Sequence, residues 1–329
     1  MSHPLDAQLP RVRKYPFVGM RISDHTILDT IEGRHNCRLC HRSRKFFCYN
    51  CYIPVGELAE TDVLPQIKLP LLVDIIKHKK EIDGKSTAVH AAVLAPEHVR
   101  IHTFPDIPDY RKEDGVVLIF PSAKAATVPQ LFERNVQLQI GENYGLPKGH
   151  HMGTMLRRRM DEVEIHEDDD KPEQELRCWK LDNLPIRRAV FIDSTWNQSR
   201  GIYADERVRG LRTVVLQNRL SQFWRHQRGS PRWYLATIEA IHQFLLEVHI
   251  NAWGLSSHYR GLDNLEITES FHRLAEPLKV VPAAEEKATD RESPYNGQYD
   301  NLLFFFANMY DLIHKYYDHN ELIAYRRPI

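Results

Sequence analysis

Ala189-Val190-Phe191-Ile192 is an apolar run that stops on Asp193-Ser194-Thr195-Trp196, with Asn197, Gln198, Ser199 and Arg200 close behind. Such a run reads as a buried strand. A strand that ends in an acid, two hydroxyls and a tryptophan ends where open α/β sheets place their ligand sites. Residues 69–76, 116–120 and 211–217 read as further strands, and residues 88–94, 235–252 and 302–317 as helices. This alternation predicts an α/β fold, a mostly parallel sheet with helices on both faces. Ser86 or Thr87 is the expected N-cap of the helix from Ala88, and Glu239 lies in the first turn of the helix over 235–252, where an acid is favoured.

The cysteines add a second constraint. Cys37-x-x-Cys40 and Cys48-x-x-Cys51 place four thiols within fifteen residues. Two such pairs on tight turns can hold one tetrahedral ion, which predicts a structural Zn²⁺ with no open coordination position. Disulfides and a redox pair are the alternatives. No apolar core near the N-terminus suggests a secretion signal, so reduced thiols and an intracellular protein are expected. No apolar run approaches the ~20 residues of a membrane span. Lys plus Arg equals Asp plus Glu at 44 each, which argues against indiscriminate polyanion binding but allows a local basic patch.

One such patch is the loop at 219–234. Arg219, Arg225, His226, Arg228 and Arg232 alternate there with Phe223, Trp224, Trp233 and Tyr234. Cations beside rings suit an unstacked nucleotide, so Arg219, Trp224, Arg225, His226 and Arg228 are the expected RNA contacts. The other reading of the loop folds its aromatics into the core. The knuckle, with Arg38, His41, Arg42, Arg44 and Lys45 near Phe46, Phe47, Tyr49 and Tyr52, has the same two readings. The expected domain plan is an N-terminal arm at 1–34 with one short helix, a knuckle at 35–55, a catalytic domain at 56–317 and a tail at 318–329. The catalytic domain is interrupted at about 157–178 by a solvated insertion, with Arg157-Arg158-Arg159, nine acids between Asp161 and Glu175, and a lone thiol at Cys178.

Four features in order along the chain resemble the DTW-domain family. They are the paired cysteine knuckles, Lys77-His78 leading to Ser86-Thr87-Ala88, the D-x-T-W tetrapeptide at Asp193-Ser194-Thr195-Trp196, and Ala236-Thr237-Ile238-Glu239-Ala240. The resemblance covers roughly residues 35–315. Lys79 and Ala236 depart from it, standing where many members carry proline and serine. It implies a knotted sheet like that of knotted RNA methyltransferases. It also implies a reaction, transfer of the 3-amino-3-carboxypropyl arm of S-adenosylmethionine to N3 of a uridine in the tRNA D-loop, and suggests the nucleus as location. Motif by motif it places the cofactor near Thr87, Ile192, Leu211, Trp233 and Thr237. Asp193 becomes the residue expected to orient uracil or take its N3 proton, with Ser194, Thr195 and Trp196 as its frame. tRNA is the expected partner, with no membrane and no obligate protein partner. SAM-dependent RNA methylation and a non-enzymatic zinc-knuckle RNA-binding role are the competing readings.

Overall fold

A computed structural model describes residues 15–132, 179–217, 219–227, 229–265, 280–281 and 292–327. The insertion at about 157–178, with the arginine run and Cys178, lies outside the described residues, as does Arg228.

Six strands form one parallel sheet. They are β1 Leu72–His78, β2 Val99–Phe104, β3 Val116–Ile119, β4 Ala126–Thr127, β5 Arg188–Asp193 and β6 Arg212–Val215. Their order across the sheet is β2-β1-β5-β3-β6-β4. The apolar run that ends on Asp193 is therefore central, between β1 and β3. The helices that frame the sheet among the described residues are α1 Ala88–Leu94, α2 Val128–Phe132, α3 Trp196–Tyr203, α4 Glu206–Arg209, α5 Thr237–Trp253 and α6 Phe304–Tyr316.

Side chains of successive strand residues point to opposite faces, and both faces here are covered. Val73, Ile75, Val117, Ala189, Phe191 and Val214 face a large core shared with α1, α5 and α6. Ile76, Val116, Leu118 and Val190 face a smaller one, closed by Ile202 of α3 and Val208 of α4. Burial on both faces is why β3 and the middle of β5 are continuous apolar runs, and why the acid that interrupts β1, Asp74, is paired with Arg188. β2 was not expected, and its sequence shows why. Val-Arg-Ile-His-Thr-Phe is half polar and its alternation breaks at His102-Thr103, so it lacks a clear strand pattern, as a strand at the sheet edge allows. The first strand begins at Leu72 rather than at 69, because Pro70 has no N–H to give a ladder. Leu69 and Leu71 are buried all the same.

The stretch expected as an arm contributes to the core from residue 15 onward. Phe17, Leu28 and Ile31 are buried, and the Phe17 ring meets Phe306 and Tyr310 edge-on at 6.2 and 5.3 Å. Its short helix is a single 3-10 turn, His25–Asp29, capped by Asp24. The backbone N–H of Arg21 donates to Asp300 Oδ2 at 2.8 Å. That carboxylate also accepts from the Tyr259 and Tyr295 hydroxyls and meets His242 Nε2 at 3.0 Å, tying the N-terminal stretch to α5.

Candidate active site

Asp193 is the last residue of β5, in register with Lys77 of β1, and is 6% exposed. Ser86 Oγ donates to its Oδ2 at 2.6 Å and Thr237 Oγ1 to its Oδ1 at 2.6 Å. Ser86 precedes α1 and Thr237 opens α5, so one carboxylate joins three elements. Ser86 Oγ also accepts from Ala88 N at 3.1 Å, bracing the turn before α1, whose N-cap is Thr87 without a side-chain cap bond. Thr87 Oγ1 accepts instead from Ile238 N at 3.2 Å and locks the two helix starts together. Burial pushes the Asp193 carboxyl above the usual carboxylate range, and the two hydroxyl bonds and the Lys77 ammonium only partly oppose it. Lys77 is held by an ion pair with Asp83, and Tyr52 is an electrostatic neighbour. Nothing in residue order marks Tyr52 or Lys77 as neighbours of Asp193. The available signal for Lys77 and Ser86 was their place among the four ordered motif features.

Just after Asp193 in the chain, Trp196 opens α3 and belongs to an aromatic cluster. Gln198 Oε1 accepts from Thr195 N at 3.2 Å, fixing the start of α3 and aiming Trp196. The Trp196 ring lies 4.5 Å from Tyr234 and 6.4 Å from Phe120, and Trp233 meets Tyr234 edge-on at 4.7 Å. Of the expected cofactor positions, Thr237 bonds Asp193 directly, and Thr87 joins the cluster through Ile238 N. Ile192 and Leu211 pack partly buried against the smaller core, as Trp196 does. Trp233 reaches the group through Tyr234.

The basic-aromatic loop divides. Arg219 is 1% exposed and is not part of any RNA-facing surface. Its Nη2 lies 3.7 Å from Glu239 Oε1, and its Nη1 is 3.4 Å from His242 Nδ1. A buried guanidinium needs a buried carboxylate, and this segment turns inward to supply the pair. Glu239 is the organising residue here. It accepts from Ser221 Oγ at 2.6 Å, Gln222 N at 2.7 Å and Ala236 N at 2.9 Å. Its sequence position suggested only a favourable first-turn acid. Trp224 is buried, its ring 5.2 Å from that of Phe306. Arg225 is half-buried, with Nη1 donating to Lys85 O at 2.8 Å, and His226 is exposed.

The knuckle is two copies of one turn. His41 N donates to Cys37 O at 2.8 Å and Tyr52 N to Cys48 O at 2.9 Å. Cys37 N donates to Arg42 O and Cys48 N to Ile53 O, at 3.0 and 2.8 Å. His41 and Tyr52, the corresponding residues, both have φ of 57°, rare for residues with a side chain. The strands His35–Asn36 and Ser43–Arg44 close the first turn as a hairpin. The four sulfurs lie within 4.8 Å of one another, a donor set that fits a tetrahedral thiophilic ion. Asn50 Nδ2 donates to Asp83 Oδ2 at 3.2 Å, connecting the knuckle to the partner of Lys77.

Comparison with known proteins extends the likeness over the whole site. The profile of the DTW domain matches residues 45–314, which hold β1, α1, β5 and α5. The chain belongs to the DTW-domain family. The first cysteine pair lies just before the matched range. Among curated members, the chain is 39% identical to tRNA-uridine aminocarboxypropyltransferase 1 of Mus musculus over 287 residues, 85% of this chain and 77% of that one. It is 38% identical to the Homo sapiens protein of the same name over 305 residues, 91% and 84% of the two chains. The Xenopus laevis protein is 35% identical over 298 residues, 90% and 86% of the two. No solved structure matches the chain. Among the described residues, no helix is long and apolar enough to cross a membrane.

Proposed function

We propose that this chain transfers the 3-amino-3-carboxypropyl group of S-adenosylmethionine to N3 of a uridine in the tRNA D-loop. The observation that carries this reading is the convergence on Asp193. Three family features, at Lys77–Ser86–Thr87, Asp193–Trp196 and Thr237–Glu239, meet around one buried carboxylate, and the relatives are named for this activity.

The donor's sulfonium makes each of its three carbon substituents displaceable, so selection of the arm is a matter of alignment. Asp193 accepts the uracil N3 proton, or orients the imide while that proton leaves. The N3–carbon bond forms as the carbon–sulfur bond breaks, and the sulfur departs as neutral methylthioadenosine. A carboxylate with a raised pKa is the stronger base, and the burial of Asp193 supplies that shift. Ser86 and Thr237 hold its two oxygens in place, and Lys77 limits the cost of its charge. Thr87 and Thr237 lie at the helix starts nearest the arm. Ile192, Leu211, Trp196 and Trp233 form the apolar side on which the adenosine portion rests. Arg225 and His226 of the loop face the RNA. Zn²⁺ on Cys37, Cys40, Cys48 and Cys51 is structural, since four thiolates leave no site for chemistry.

The test is a product assay with unmodified tRNA and S-adenosylmethionine. Methylthioadenosine and an arm-sized mass increase on one uridine are expected. S-adenosylhomocysteine would mean methyl transfer, and tRNA binding without either product would mean a binding protein.

A further inference from the structure

A cavity of about 240 Å³ opens between the knuckle, the turn at 83–87, α1, the loop at 223–225 and α6. Its lining is aromatic and cationic. The His90 ring sits 5.6 Å from both Phe47 and Phe305, while Tyr49 and Trp224 also line the space. Lys45, Lys85 and Arg225 stand around it, with Lys45 Nζ 4.8 Å from the Phe46 ring centre. The acid that lines it, Asp83, is paired with Lys77 and bonded to Asn50, and Glu81 lies near Lys85 and Arg225 behind the lining, so the three cations at the cavity outnumber the acid left to them.

Two observations point to a ligand. His90 is 2% exposed, and its Nδ1 has no hydrogen-bond partner. Burial holds its pKa down at about 3, so the ring is neutral and offers one donor and one acceptor. A buried polar atom without a partner is costly unless something completes it. Outside the cavity, α6 continues the same apolar face. Phe305, Met309 and Leu312 line the space, and Tyr316, one turn on and 70% exposed, extends that face into solvent. Rings, cations and a neutral imidazole together suit a nucleotide, with its base stacked and edge-bonded and its phosphates on lysine and arginine.

The cavity adjoins the reacting centre at Ser86 and Thr87, and Asp193 itself does not line it. Ser86 lines the cavity and donates its hydroxyl to Asp193 Oδ2. Of the expected cofactor positions only Thr87 borders it. We propose that this cavity receives an unstacked nucleotide adjacent to the target uridine, and so selects which uridine reaches Asp193. The proposal rests on the transferase reading above, and it makes the knuckle and α6 parts of substrate selection.

The test uses the full chain and tRNA transcripts carrying one 4-thiouridine, placed in turn at the target and at its neighbours. A photo-cross-link from a neighbouring position to the peptide containing Tyr49 or Trp224 is expected. Such a cross-link from the target position alone would overturn the proposal. Leu312→Trp, which narrows the opening, and Lys45→Ala with Lys85→Ala, which remove cations, should each raise the KM for tRNA about tenfold. The Kd for S-adenosylmethionine serves as the folding control. An unchanged KM in both variants would also overturn it. If the wild-type protein makes no methylthioadenosine, the transferase reading fails by itself. Filter binding of tRNA then reports on the cavity without turnover, with weaker binding by the variants supporting it and equal binding overturning it.

Discussion

Asp193 carries two opposed demands, because burial disfavours its charge and the proposed chemistry uses it. Asp193→Asn keeps the shape and can still exchange hydrogen bonds with the Ser86 and Thr237 hydroxyls. Loss of product formation by about 10²–10⁴ is expected, with cofactor binding retained. The same variant should melt at a higher temperature than wild type at neutral pH. The folded-state pKa of Asp193 is raised, so the wild type bears the cost of a buried charge above that pKa and sheds it below. The melting difference should therefore close as pH falls into the acid range, which thermal denaturation across pH would show. Ser86→Ala or Thr237→Ala removes a bond that favours the carboxylate. Each should move the acid limb of the kcat/KM profile to higher pH, and an unmoved limb would detach Asp193 from catalysis. Asp193 was legible in the sequence because an acid that ends a buried run is conspicuous. Arg219 was misread for the opposite reason. Among arginines, tryptophans and histidines, sequence cannot show which side chain turns inward, because that depends on a carboxylate twenty residues along, Glu239.

At the scale of elements, the central strands could be read because both their faces are buried, and β2 could not because its pattern is that of an edge. The knuckle was legible in its ligands, but its coupling to the site was not. It reaches Asp83 through Asn50, and Asp83 holds Lys77. One zinc per chain by elemental analysis is expected, lost in Cys37→Ser with Cys48→Ser. The left-handed backbone at His41 and Tyr52 is costly unless the surrounding turns are held, and the proposed metal–thiolate bonds would hold them. Chelation should thus raise hydrogen exchange across 37–55 and in the 83–87 turn, while the centre of the sheet stays protected. Equal protection with and without chelator would mean that the thiols are not a metal site. The start of α5 supports a stability prediction. Glu239→Ala leaves Arg219 buried without its partner and removes three accepted hydrogen bonds, for a loss of about 3–5 kcal/mol in denaturant unfolding.

For the whole molecule, the decisive question is how far the folded unit extends. The sequence reading placed its start at residue 35, with residues 1–34 as an arm holding one short helix. Irregular chain can still bury side chains, and here Phe17, Leu28 and Ile31 are at most 5% exposed. Burying each stabilises by about 1.5–3 kcal/mol. Together they contribute roughly 5–9 kcal/mol, comparable with the ~5–15 kcal/mol by which a domain is stable at all. The stretch also covers Phe306 and Tyr310 of α6 and donates a backbone bond to Asp300. A chain lacking residues 1–34 should therefore lose cooperative unfolding, although it keeps both cysteine pairs and every proposed catalytic residue. Phe17→Ala in the full chain should cost about 3–5 kcal/mol and leave the KM for tRNA unchanged, because Phe17 packs in the core and not on the loop proposed to face RNA. Calorimetry decides between the two views of this segment. If the truncated chain melts in one sharp transition at the wild-type temperature, residues 15–34 are an appendage, and the fold begins at the knuckle.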